Sequence, residues 1–159
     1  MLKYLRGYPA AVQDSVSTAL ASGQLAARLQ VRYPHPPEVT TDRLLVGYVN
    51  ELKQRYLRRA PPLSKITFDD KMGVRGILGT QTHVSRVQGA RLKAKNELRV
   101  ASLFKRVPPE FLRMVVVHEL AHLKEKDHSK AFYQLCCHME PEYHQYEFDL
   151  RLYLTAHDL

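Results

Sequence analysis

His118, Glu119 and His122 stand as His-Glu-Leu-Ala-His at the end of the most apolar stretch of the chain, directly after Phe111-Leu112-Arg113-Met114-Val115-Val116-Val117. On a helix, residues four apart share one face, so the two histidines can grip a single metal ion together. Glu119 then projects beside that ion, where a base for a water molecule is needed. Polar groups on a buried helical face are costly without partners, and a divalent cation is one such partner. The chemistry that suits these residue types is zinc-dependent hydrolysis by a metal-activated water, with Glu119 as general base. A peptide bond is the expected target, and a non-peptide substrate is the alternative.

A catalytic zinc site takes three protein ligands and keeps one position open. His128, six residues after His122, offers the third. Its spacing follows an HExxHxxGxxH pattern, except that Glu125 stands where that pattern has glycine, the residue best suited to a left-handed turn. Glu140, Glu142 and Glu147 are alternative third ligands, reached from a later helix. Asp127 or Ser129 is placed to cap the helix that starts near Lys130. Glu147 and Asp149 are candidates to orient a ligand histidine through its other ring nitrogen, with Arg151 pairing with either. His83, Tyr133, Tyr143 and Tyr146 are candidate donors to a developing oxyanion. His138 and His144 have no ligand spacing to the motif and are expected to be structural or exposed.

The segment HELAHLKEKDHSKAF, followed by YQLCCHMEPEYHQYEFDLRLYL, resembles the YgjP-like metallopeptidases, relatives of the WLM and SprT-like groups among the zincins. The shared pattern is HExxH, a short variable turn, then histidine with an aromatic residue four positions on, here Phe132. The resemblance implies zinc ligands His118, His122 and His128, with Glu119 as catalytic base. The chain departs from many relatives in one place. They carry a Trp-Gly-Ser-Cys segment before the helix, whereas the comparable stretch here is Leu78-Gly79-Thr80-Gln81-Thr82-His83, and the chain has no tryptophan.

Several elements must position these groups. Pro108-Pro109-Glu110 starts the motif helix, with proline at the first turn and an acid after it. Three consecutive valines favour a strand by propensity alone, but the nearly continuous apolar run through Leu123 and its length argue for a buried helix. Helices are expected over 10–21, ending before Gly23, and over 41–58, where Leu45, Val49, Leu52 and Tyr56 form one stripe. Two more are expected over 130–138 and 142–154, separated by Pro141. Strands are expected at 65–69, 80–88 and 97–104, either of the last two being a candidate edge for an extended peptide. This order of elements predicts an α+β, zincin-like fold: one domain with a small β-sheet packed on a buried HExxH helix and helices flanking it.

Composition bounds the rest. Hydrophobic residues make up 45% of 159 residues, which excludes a disordered chain. No run is long enough to cross a bilayer and the first residues lack the apolar core of a signal peptide, so a cytoplasmic protein without membrane contact is expected. Cys136 and Cys137 are adjacent and read as two reduced thiols rather than a staple. The net charge of +8 is uneven. Residues 42–106 hold fifteen Lys/Arg against five Asp/Glu, and residues 107–159 hold five against nine. The basic segment is a candidate nucleic-acid surface through Arg86, Arg91, Lys93 and Lys95, and a solvated surface is the plainer alternative.

Overall fold

The computed structural model describes residues 2–73 and 96–159. Six α-helices and two strands make up the regular structure of these residues: α1 (Ala10–Ala21), α2 (Gln24–Arg32), α3 (Asp42–Tyr56), β1 (Lys65–Asp69), β2 (Glu97–Ala101), α4 (Pro109–Ala121), α5 (Lys130–Met139) and α6 (Tyr143–Ala156). The architecture is α+β, as the order of elements in the sequence predicts. Among the described residues, no helix is long and apolar enough to cross a membrane.

The motif helix α4 is the axis of the core. Phe111, Leu112, Met114, Val115, Val116, Val117, Leu120 and Ala121 are all buried. Helix propensity costs a valine under about 0.7 kcal/mol relative to alanine, while burying its side chain contributes about 1.5–3 kcal/mol. Burial therefore decides the conformation of the three valines. Pro109 occupies the first helical position, where its missing N–H is no loss. Helices α5 and α6, strand β2 and helix α3 pack around α4. The N-terminal pair α1 and α2 turns at Gly23, whose φ of 75° lies in the left-handed region that glycine enters without steric cost. Helix α2 then lies against α6.

The two strands are parallel, with Lys65 opposite Glu97 and Asp69 opposite Ala101. Their inward residues, Ile66 and Phe68 on one and Leu98 and Val100 on the other, are buried. The expected third strand, at 80–88, and the candidate peptide-binding edge on it lie outside the described residues, as does the Leu78–His83 comparison with relatives. The strand expected over 97–104 is shorter: Ala101 ends it, and Ser102–Lys105 forms a 3-10 turn that buries Phe104 and delivers the chain to Pro108.

Asp42 joins the helical and strand layers. Its carboxylate accepts from the Phe68 backbone N–H at 2.9 Å and from the Thr67 hydroxyl at 3.0 Å. These bonds hold its pKa below the usual carboxylate range. Because the folded-state pKa is depressed, the stabilisation is complete above the unfolded pKa of about 3.9 and is lost as pH falls through the folded value. Because Asp42 is exposed and water screens its charge, Asp42→Ala is expected to cost about 0.5–1 kcal/mol at neutral pH by urea unfolding, and the difference from the parent should shrink in acid. An equal difference at neutral pH and at pH 3 would exclude this ionic anchor.

Candidate metal centre

The site forms where α4 runs out. His118 occupies its last turn and His122 is its C-cap residue. Backbone bonds from Leu123, Lys124 and Glu125 back to Leu120 and Ala121 close the turn. No residue between His122 and Ser129 has a positive φ, so the chain reverses here without a left-handed residue and Glu125 is accommodated in place of glycine. Ser129 then caps α5, its hydroxyl accepting from the Phe132 backbone N–H at 3.2 Å. This short connection returns His128 to the end of α4.

Three imidazoles converge as a result. His122 Nε2 lies 3.3 Å from His118 Nε2 and 3.1 Å from His128 Nε2. The donor atoms of all three lie within 4.8 Å of one another, the one such group of His, Cys, Asp and Glu among the described residues. His122 Nδ1 donates to the Glu125 carbonyl at 3.0 Å, which can only accept. Its Nε2 therefore carries a lone pair, directed at the other two rings. Burial lowers the pKa of His118 well below that of a free imidazole, helped by the neighbouring His122 and His128. Burial likewise lowers the pKa values of His122 and His128. Neutral imidazoles approach this closely either when one ring's N–H faces its neighbour's lone pair or when a cation is shared between lone pairs, and a shared cation satisfies all three rings at once. Tetrahedral coordination with bonds of about 2.0–2.1 Å would place such nitrogens about 3.3 Å apart. The residues present thus fit a divalent metal ion. Phe132, fully buried, supports the cluster, its ring centroid 5.0, 4.5 and 5.0 Å from those of His118, His122 and His128.

Glu119 follows His118 on the same helical turn and is partly exposed. Desolvation pushes its pKa up to about 7, where the carboxyl exchanges protons readily near neutrality.

The other sequence candidates divide. Glu140 bonds Arg113, Oε1 to Nε at 2.7 Å, and is committed to that ion pair. Glu142 is exposed at the start of α6, its backbone N–H donating to Glu140. Burial lowers the pKa of His128 and the nearby Glu147 carboxylate opposes this only in part, and that carboxylate is not part of the convergent group. Asp149 accepts from the Tyr33 hydroxyl, from Gln145 at 3.0 Å and from Arg32 at 3.2 Å. It ties α2 to α6 and orients no ligand histidine, contrary to the expectation for it. The Tyr143 hydroxyl lies 2.8 Å from His118 Nδ1, on the ring edge opposite Nε2, so it does not face a reacting group. Tyr133 packs beside His128, with ring centroids 6.2 Å apart, and Tyr146 packs on Tyr33. His138 meets the Tyr56 ring and His144 is exposed. His83 lies outside the described residues. The Glu125 carbonyl, which holds His122, had no signal in the sequence beyond its neighbourhood.

A buried HExxH helix, with a third histidine folded back onto it in an α+β scaffold, is the framework of a metal-dependent hydrolase. The description of the family model that matches residues 80–153 is YgjP-like, metallopeptidase domain. A protein of Escherichia coli (strain K12) named UTP pyrophosphatase is 55% identical over 155 residues, covering 97% of this chain and 93% of that relative. The chain belongs to the YgjP-like family. No solved structure matches it significantly.

Proposed function

We propose that this protein hydrolyses a nucleoside triphosphate, UTP in the first instance, to the monophosphate and pyrophosphate at a zinc ion held by His118, His122 and His128. The observation that carries the substrate is the 55% identity, across nearly the whole chain, with a relative named UTP pyrophosphatase. Zinc is preferred because the donor set is entirely imidazole, which suits zinc and neighbouring transition metals rather than magnesium.

When bound, the ion lowers the pKa of water to near neutrality and draws charge from the reacting centre. Glu119 accepts the proton of the attacking water and returns a proton to the departing group. The Glu125 carbonyl holds the ring of His122 in register. Phe132 shields one side of the histidine cluster from water. The surplus of Lys and Arg over 42–106 provides counter-charge for a triphosphate. That surplus served the nucleic-acid expectation as well, but a single nucleotide needs less surface. Arg86, Arg91, Lys93 and Lys95 lie outside the described residues.

A second reading, peptide-bond hydrolysis, is favoured by the family's description as a metallopeptidase domain. The same three histidines and Glu119 would serve it. One assay separates the two. Protein loaded with one equivalent of zinc is given UTP, and pyrophosphate and UMP are quantified. In parallel it is given a panel of unfolded proteins and peptides. Equimolar UMP and pyrophosphate without peptide cleavage is the expected result. Peptide cleavage with inert UTP would replace the first reading by the second. Metal analysis of the purified protein is expected to find about one zinc per chain, and a protein that neither holds nor takes up zinc would exclude zinc for both.

A further inference from the structure

The edge of His118 turned away from the converging nitrogens meets a tyrosine. Tyr143, the first residue of α6, is fully buried, and its hydroxyl lies 2.8 Å from His118 Nδ1. Nothing in the hydrolytic chemistry uses this hydroxyl. The two ring planes are only 17° apart, and the ring centroids are separated by 6.4 Å. An oxygen–nitrogen contact of 2.8 Å combined with so wide a separation requires the rings to lie nearly end to end. The phenol oxygen is therefore close to the imidazole plane, in the direction along which Nδ1 holds a hydrogen or a lone pair. This is the geometry of an aimed hydrogen bond rather than of packed faces. The bond joins α4 to α6 across 25 positions of sequence.

We propose that Tyr143 is the positioning residue of His118: its oxygen accepts from Nδ1–H, which leaves the lone pair on Nε2 and aims it at the metal ion. A neutral imidazole carries one ring hydrogen, so the nitrogen that donates to Tyr143 fixes the nitrogen that can ligate. A phenol can also donate. An Nδ1 that accepted from it would put the ring hydrogen on Nε2 and leave no lone pair for an ion, so ligation selects the direction written here. Burial lowers the pKa of His118 and raises that of Tyr143, which keeps the pair neutral. Phe132 meets the same imidazole at 77°, with centroids 5.0 Å apart, so His118 is held by packing as well as by the hydrogen bond. The hydroxyl oxygen does for His118 what the Glu125 carbonyl does for His122. A carboxylate is a common partner of ligating histidines. In this buried place it would carry a costly charge, and a phenol orients the ring without one.

This inference rests on His118 being a metal ligand, and the experiment keeps the two apart. Zinc affinity is measured by chelator competition for the parent, His118→Ala, Tyr143→Phe and Tyr33→Phe, with a thermal melt of each metal-free protein. Tyr143→Phe is expected to weaken zinc by roughly 10–100-fold, the range for a lost partner of a ligating histidine. Tyr33→Phe removes a different buried tyrosine hydroxyl, the one on Asp149, and should lower the melting temperature while leaving zinc affinity unchanged. Equal losses of affinity in the two variants would make the effect one of general stability and overturn the positioning role. Parent-like affinity in Tyr143→Phe, with zinc lost in His118→Ala, overturns that role and leaves the ligand in place. Undiminished binding in His118→Ala overturns the ligand assignment beneath it. Should Tyr143→Phe fail to fold, nitrogen-15 NMR of the zinc-loaded parent decides. His118 Nδ1 is expected to carry a slowly exchanging hydrogen with a through-space contact to the Tyr143 ring. A metal-bound Nδ1, or an Nδ1–H remote from Tyr143, refutes the proposal.

Discussion

Glu119→Gln is expected to lower the rate of hydrolysis by about 10²–10⁴-fold while the protein keeps its metal and its fold. Glutamine has nearly the shape of glutamate and can still donate and accept hydrogen bonds, so the partly exposed position beside His118 is not disturbed. It cannot take up the proton that an attacking water must lose. The substitution therefore removes one chemical step and little else. Removing the charge should not destabilise the chain, because desolvation at this half-buried position already penalises the ionised form and pushes the pKa up to about 7. Steady-state kinetics on UTP, metal analysis and a thermal melt test this together. Parent-like turnover would remove Glu119 as the base. Lost turnover together with lost metal would assign it to the metal site instead.

The second large effect is at His122. His122→Ala is expected to weaken zinc on the order of 10²–10³-fold, if the roughly 10–16 kcal/mol of a four-ligand zinc site is shared among its ligands. His122 is the central member, its Nε2 within 3.3 Å of both other rings, so its loss also separates His118 from His128. Activity at limiting zinc should disappear and return in part at high zinc. Chelation of the parent should give the same inactive state, reversed by adding the ion back. Full activity in the chelated parent would exclude metal-dependent chemistry. Intact zinc affinity in His122→Ala would remove His122 from the ligands.

Much of this architecture was legible in the residues, for reasons that differ from element to element. Helix α4 could be read because its apolar run is too long for a strand and is interrupted only by residues with a task. Strand β1 and helix α3 were marked by alternation and by a single stripe. Helix α2 was not foreseen. Its buried residues Leu25 and Leu29 make a narrow face on a short helix, and Val31 at its end is 82% exposed, so the pattern has no clear side. The end of β2 was misplaced because Leu103 and Phe104 are as apolar as the strand before them, and a 3-10 turn buries Phe104 equally well.

Within the site, spacing brought out the histidines, since i and i+4 on a helix admit few geometries. It brought out His128 less directly, because six residues of turn can go several ways and Glu125 argued against the tightest. The partners of the histidines were poorly legible. A backbone carbonyl has no letter in a sequence. Asp149 was expected to hold a histidine because carboxylates commonly do, yet Tyr33, from 116 positions away, takes it. Long-range pairs of that kind are set by how helices dock, and local pattern is blind to docking.

The origin of the site's parts has a thermodynamic consequence. His118 belongs to α4, His128 to the connection, Phe132 to α5 and Tyr143 to α6, so one ion touches or backs onto every helix of the C-terminal half. Binding to the assembled state alone adds RT ln(1 + [M]/Kd) to its stability, about 4.1 kcal/mol at a thousandfold excess over Kd. Whole domains are held by only about 5–15 kcal/mol. Metal supply and the cooperative folding of this half are therefore linked. Where the ion is scarce, the C-terminal helices forgo that increment and become easier to unfold and to cleave.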